Sequence, residues 1–427
     1  MGIYKQANLS KGAKLFYVKN KISKTTNVKI SFDCGSRCDT IPGIAHFAEH
    51  MFFSGTKSMS RQEINKKYFD FINVNAFTSN VEISFEGNVF SKEFEEYIKT
   101  VAVMITETTF DQAEVEKECP IIQQEIARKK DKFNALSNYR NMLNITSNEH
   151  YKGYGALGTD ESVETVKSND LKTFVSKYFV ANNAKVYVSS PMSLFKIKSI
   201  VEKNLISKLS SDETFKQLPY YSAYVKNSNF YDVKTMDIGK NYLYINFPHN
   251  NNLLNFEFRA KYGLLLDMIN NFSTGILKYI REEKQLVYGA SMYSAVANDK
   301  EYVTTFSTEC GKDKVEKVIV AVSEYLNQIA KVGFSQDQLD HAKRLFKYDL
   351  DAKEPRVREH LSRLENFVQY GRIIKGEIAK LAKKVTLEEC NELFKEIFVN
   401  NKGISLTVYG DITKEELLQE DEFKKLY

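Results

Sequence analysis

Alternating apolar and polar positions open the chain. Residues 14–19 (KLFYVK) and 27–33 (NVKISFD) carry the period-two, β-branched pattern of half-buried strands. A turn with Gly35, Pro42 and Gly43 follows, and the apolar run over residues 44–53 predicts a helix. Residues 61–71 predict a second helix and residues 76–87 a strand. Helical periodicity returns over residues 90–107 and 111–130, the latter with Asp111 placed to cap it, and residues 186–190 read as a strand. Residues 207–229 are polar and contain Ser210, Ser211, Asp212 and Pro219, the composition of a linker. Beyond them the programme restarts. A strand at 242–247 precedes a long helix at 255–284, strands at 288–295 and 302–310, helices at 313–331 and 336–350, and a last strand near 403–409.

Strands followed by runs of helices predict an α+β fold: two similar domains, each a mostly antiparallel sheet packed with helices. The length of 427 residues suits two domains of about 200. The expected division is 1–210, a linker at 211–229, and 230–427, with weak self-similarity that fits a duplication.

Composition narrows the classes. With 43% hydrophobic residues there is material for two cores. The net charge of +5 is interleaved, as in Glu114-Val115-Glu116-Lys117-Glu118, so no basic stripe for nucleic acid is expected. No apolar run approaches the roughly 18 residues of a membrane span. The opening residues lack a secretory h-region or presequence pattern, and Gln6 stands where a myristoylation signal needs Ser or Thr. The five scattered cysteines argue for a reducing compartment, so a cytoplasmic location is expected.

The candidate chemistry lies in His46-Phe47-Ala48-Glu49-His50. On a helix, histidines four apart share a face and can grip one cation, and Glu49 lies on the same side. A zinc ion with three protein ligands keeps a position for water and brings that water's pKa to about 7. With six histidines in the chain, the pattern H-x-x-[DE]-H is expected by chance only about 0.01 times. The bland alternative is a helix whose two histidines are satisfied in the core. Cys34 and Cys38 make a weak ligand pair in a turn, and His150, His249, His341 and His360 have no spacing partners. Met51, Phe52 and Phe53 read as packing beneath the helix.

Residues 43–56, GIAHFAEHMFFSGT, resemble the GxAHxxEHMxFxGT signature of the pitrilysin and mitochondrial-processing-peptidase family, whose HxxEH order is the inverse of the common zinc-protease motif. Cys34-Gly35-Ser36-Arg37 is similar to its upstream GSR element. The family takes its third zinc ligand from a Glu about 75 residues on, and the segment from Phe110 to Ile126 resembles that helix without a gap. The resemblance therefore implies one zinc per chain, held by His46, His50 and Glu125, with Glu49 as general base. Glu118, two turns before Glu125, is implied as a carboxylate supporting a ligand or the water. Pro120 departs from the usual pattern and is expected to kink the helix or start a new first turn, which bears on Glu118.

Further stretches carry the same resemblance. Asn75-Ala76-Phe77-Thr78 is similar to the NAxT strand that accepts substrate by backbone pairing, although Asn73-Val74 replace the usual Gly-Gly. Arg281 to Tyr288 resembles the family's R-x-x-x-x-L-x-Y element, which implies that Arg281 holds a substrate carbonyl and Tyr288 donates to the oxyanion. Residues 155–163 and 363–372 are similar to LGTxExV and RL…YGR segments of the smaller two-domain subgroup. Large family members hold four such domains in a closed clam-shell chamber. Two domains imply half a chamber, hence a homodimer or a heterodimer with a related chain, acting on peptides or presequence-like precursors. A chamber-forming subunit without chemistry and a maturation protease with one dedicated precursor remain as alternatives.

Overall fold

The computed structural model describes residues 4–21, 23–71, 73–130, 133–145, 155–216, 230–250, 255–296, 301–351, 374–401 and 403–427. Among the described residues, eleven strands form two sheets. The first contains β1 (Tyr4–Asn8), β2 (Lys14–Lys19), β3 (Thr25–Phe32), β4 (Val74–Thr78), β5 (Ile83–Phe90) and β6 (Ala184–Ser190), in the order β1-β2-β6-β3-β5-β4. The second contains β7 (Tyr231–Thr235), β8 (Asn241–Asn250), β9 (Ala290–Val296), β10 (Glu301–Cys310) and β11 (Ser405–Gly410), in the order β7-β11-β8-β10-β9. Without β1, the two orders are the same step for step. In each, one parallel pair (β2 with β6, β7 with β11) is followed by antiparallel pairs. The duplication glimpsed in the sequence is thus explicit in the topology.

Each sheet belongs to its own compact unit. In the first unit, helices α1 (Ile44–Met51), α2 (Arg61–Phe69), α3 (Phe94–Glu107) and α4 (Gln112–Lys130) accompany the sheet. Phe47, Met51 and Phe52 are fully buried beneath α1, and the Phe52 ring meets Phe85 at 5.7 Å and Phe179 at 4.9 Å. These residues are core, as the pattern around Met51 suggested.

Helix α5 (Phe133–Ile145) lies in the first half of the chain but packs in the second unit. Buried polar groups explain this. Asn141 and Asn246 exchange amide hydrogen bonds of 3.1 and 2.9 Å, Thr305 donates to the Asn246 oxygen at 2.9 Å, and the Ser137 and Tyr244 hydroxyls meet at 2.6 Å. Arg140 and Asn144 both donate to Asp232. Polar atoms out of water need partners, and α5 finds its partners on the second sheet. Of the expected linker, residues 211–216 hold to the first unit, where the Asn182 amide donates to the Asp212 carbonyl at 2.6 Å. The remainder, and the 363–372 segment, lie outside the described residues.

Two expected elements are divided. Residues 76–87 form a hairpin, because Ser79 turns the chain: its N–H reaches the Glu82 carbonyl at 2.9 Å and its hydroxyl accepts from Val81 and Glu82. The helix expected over 255–284 stops at Ile269. The Asn271 side chain accepts from Ser273 and Thr274, and a Cβ at Gly275 would collide with the Ile269 carbonyl. The chain resumes as a short helix and one π-helical turn, Tyr279–Glu283. All five cysteines are free thiols, and among the described residues no helix is long and apolar enough to cross a membrane.

Replacing Asn141 by alanine leaves Asn246 short of a partner in the core. The expected loss is about 1–3 kcal/mol, read as a lowered thermal midpoint. An unchanged midpoint would show that this pair does not fasten α5 to the second sheet.

Candidate metal centre

Helix α1 is started by a carboxylate. Asp39 accepts from the backbone N–H groups of Gly43 at 2.7 Å and Ala45 at 3.1 Å, satisfying first-turn donors that have no intrahelical partner. Burial pushes the Asp39 carboxyl up to about 7, against the pull of those two hydrogen bonds. Gly43 sits at φ 92°, where a side chain would be strained, and a Cβ there would press on the Leu157 carbonyl.

From this start, α1 places the His46 and His50 rings with centroids 4.5 Å apart. Helix α4 passes alongside and contributes Glu118 and Glu125. It runs through Pro120 as one uninterrupted helix, with no new first turn, so both carboxylates keep their spacing. Glu125 Oε2 lies 3.7 Å from His46 Nε2 and 3.6 Å from His50 Nε2. Among the described residues, these three form the single group of three or more such side chains whose ligand atoms all lie within 4.8 Å of one another. The separations are too long for hydrogen bonds. They approach the edge of about 3.3 Å that tetrahedral ligands at about 2.0–2.1 Å from a zinc ion would show. Two imidazoles and a carboxylate are also a donor set that suits zinc.

His50 is oriented from behind. Its Nδ1 bonds Glu118 Oε1 at 2.9 Å, which leaves Nε2 facing Glu125. Glu118, whose side chain is 6% exposed, takes Arg61 Nη1 on its other oxygen at 2.7 Å. Arg61 also holds Glu114 through Nε at 2.9 Å and Nη2 at 2.8 Å. Such outer partners fix ring orientation and tune ligand basicity. Glu49, on α1, accepts from the Thr78 hydroxyl on β4.

The electrostatics separate the two histidines. Burial, helped by the neighbouring His50, lowers His46 to about 3. Burial acts the same way on His50, but the Glu118 and Glu125 carboxylates outweigh it and raise His50 to about 9. Burial raises the Glu49 carboxyl, while Thr78 and His50 pull it down. Burial also works to raise Glu118, and His50 and Arg61 reverse that, leaving it below the usual range.

The remaining predicted residues fall in two places. Asn75 and Ala76 lie on β4, the edge of the first sheet. The Ser79 N–H reaches Glu82 and the Asn88 N–H reaches Asn73, so odd-numbered residues face β5. By antiparallel alternation, Val74, Ala76 and Thr78 turn their N–H and C=O toward the open edge. The Tyr68 hydroxyl supports the strand by donating to the Asn75 carbonyl at 2.9 Å. Arg281 and Tyr288 come together in the second unit, with the guanidinium 5.1 Å from the ring centroid and Tyr288 86% exposed. His249 bonds the Thr304 hydroxyl at 3.0 Å inside an aromatic cluster and serves the core. Sequence reasoning did not single out Asp39, Arg61 or Thr78. Thr78 alone had a signal, as the last position of the NAxT stretch.

A duplicated α+β fold with an HxxEH metal cluster beside an open sheet edge defines the class as metallopeptidase-like. The comparisons name the family. The profile described as Insulinase (Peptidase family M16) matches residues 14–159, and that described as Peptidase M16 inactive domain matches residues 165–346. The chain belongs to peptidase family M16. A Bacillus subtilis protein named "Uncharacterized zinc protease YmxG" is 23% identical over 416 residues, covering 94% of this chain and 97% of that one. The probable mitochondrial-processing peptidase subunit beta of Arabidopsis thaliana is 24% identical over 212 residues, 48% of this chain and 39% of that subunit. The first half of the periplasmic protease PqqL from Escherichia coli shares the fold with a TM-score of 0.81 at 18% identity, covering 99% of this chain and 95% of that one.

A metal needs His50 Nε2 without its proton, whereas the raised pKa of His50 keeps the ring protonated at neutrality without metal. Zinc uptake at pH 7 is therefore expected to release about one proton per chain. Calorimetry in buffers of different ionisation heat measures it. Uptake without proton release would contradict the assigned state of His50.

Proposed function

We propose that this chain is a zinc-dependent endopeptidase, with His46, His50 and Glu125 as metal ligands. The convergence of those three side chains beside an open strand edge, with Glu49 on the same helix, carries the reading. Bound zinc would supply Lewis acidity, lowering the pKa of a water and polarising the scissile carbonyl. Glu49 takes a proton from the attacking water and passes it to the amide nitrogen as the C–N bond breaks. Its raised pKa suits a group that must both accept and return a proton. Glu118, held by Arg61, keeps the His50 ring aimed at the metal position. The edge of β4 at Ala76 receives the peptide as an added strand, with Asn75 beside it, so grip depends on main chain more than on sequence.

Arg281 and Tyr288 complete the reading. In a homodimer, or a heterodimer with a related chain, they serve the partner's site, Arg281 holding a substrate carbonyl and Tyr288 donating to the oxyanion. The exposure of Tyr288 supports a role toward a bound molecule. The second unit shows no metal cluster among its described residues, which fits a division of labour between the two repeats. Four buried free thiols fit a reducing compartment.

The test uses two variants of the zinc-loaded protein. Glu49→Gln is expected to keep one zinc and lose about 10²–10⁴ of its cleavage rate on a quenched peptide. Cleavage at the wild-type rate would remove Glu49 from the base role. Mixing Glu49→Gln chains with Tyr288→Phe chains restores activity if the sites are shared. Verified mixed dimers that stay inactive contradict the sharing.

A further inference from the structure

Thr78 faces two ways. Its main-chain N–H and C=O point toward the open edge of the first sheet, and its side chain points inward, 8% exposed as a residue, to donate to Glu49 Oε2. We propose that Thr78 is a positioning residue for peptide cleavage, holding Glu49 from the same strand that receives the peptide. The proposal rests on the peptidase reading of the site and adds a residue to it.

Three features give the contact directional force. One oxygen of Glu49, Oε2, is engaged by the Thr78 hydroxyl, which leaves Oε1 as the oxygen not committed to that bond. The hydroxyl is aimed by a β-branched side chain, whose χ1 freedom is small, so the contact is set by the strand and not by rotamer search. The strand end itself is stitched down. The Ser36 N–H reaches the Ser79 carbonyl at 3.0 Å and the Arg37 N–H reaches the Asn80 carbonyl at 3.0 Å. Gly35 lies so close to this turn that a Cβ would overlap the Ser79 carbonyl. The loop before the metal helix and the turn after Thr78 are therefore fastened to one another, which fixes the strand end from which Thr78 reaches Glu49.

Because Thr78 contributes only main chain to the open edge, a side-chain change there leaves peptide pairing intact. Because its side-chain hydrogen bond goes to Glu49 and not to His46, His50 or Glu125, metal binding is expected to be spared as well. Its loss falls on the aim of Glu49, and misplacing a reacting group by about 1 Å can lower a rate by about 10²-fold.

The experiment compares Thr78→Val, which keeps shape and removes the donor, with Thr78→Ser, which keeps the donor. Three quantities are read: kcat and KM on a quenched peptide, zinc affinity by chelator competition, and the 13C resonance of the Glu49 carboxyl in metal-free protein. Thr78→Val is expected to lower kcat about 10- to 100-fold with KM and zinc affinity unchanged, and to move the Glu49 resonance. Thr78→Ser is expected to recover most of kcat and the wild-type resonance. The proposal is overturned if Thr78→Val keeps full kcat, if Thr78→Ser loses as much as valine, or if zinc affinity falls in parallel with kcat. A wild-type protein that cleaves nothing defeats the peptidase reading instead, while the resonance still decides whether Thr78 holds Glu49.

Discussion

Two imidazoles and a carboxylate share one small space between α1 and α4, and this convergence is the constraint around which the first unit is arranged. Buried ionisable groups are tolerated only when something pairs with them. Here His50 and Glu118 pair directly, Glu118 and Arg61 pair behind them, and Glu125 stands off both imidazoles at more than hydrogen-bond distance. Two imidazoles and a carboxylate at such separations are donors that suit a divalent cation, as proposed above. The opposite shifts of His46 and His50 have different causes: burial, helped by the His50 charge, lowers the first, while the Glu118 and Glu125 carboxylates raise the second.

The rest of the unit keeps that geometry still. Asp39 and Gly43 set where α1 begins, the buried aromatics under Phe52 set its height above the sheet, and the unbroken α4 carries both carboxylates. Catalytic constellations tolerate little looseness, and here the supporting contacts come from regular elements and not from loop side chains alone. Duplication then permits specialisation. The second sheet repeats the topology and binds α5 through a buried polar ladder, and the turn and loop before β9 bring Arg281 and Tyr288 together.

Much of this was readable in the chain because it is local. The pair His46 and His50 is a helix spacing and needed no tertiary information, whereas Glu118 and Glu125 were reached only through the family resemblance of residues 110–126. Strands β2, β3, β8, β10 and β11 fall close to the residues read as strands. What escaped is non-local. Arg61 matters through carboxylates on α4, and no spacing within its own helix announces them. Thr78 needs the fold to bring Glu49 beside it. The hairpin at residues 76–87 was hidden because Val81, Ile83 and Phe85 carry a period-two run out of the turn, although Ser79 folds the chain back. Helix α5 gave no amphipathic stripe to notice, since its inward face is Ser137, Asn141 and Asn144 and is satisfied only by the second sheet.

X-ray absorption at the zinc edge of the purified protein reads the ligand set itself. One zinc per chain is expected, in a shell of nitrogen and oxygen at about 2.0–2.1 Å with the outer scattering of two imidazoles. A sulfur shell, as Cys34 and Cys38 would produce, or a site with no imidazole scattering, would contradict it.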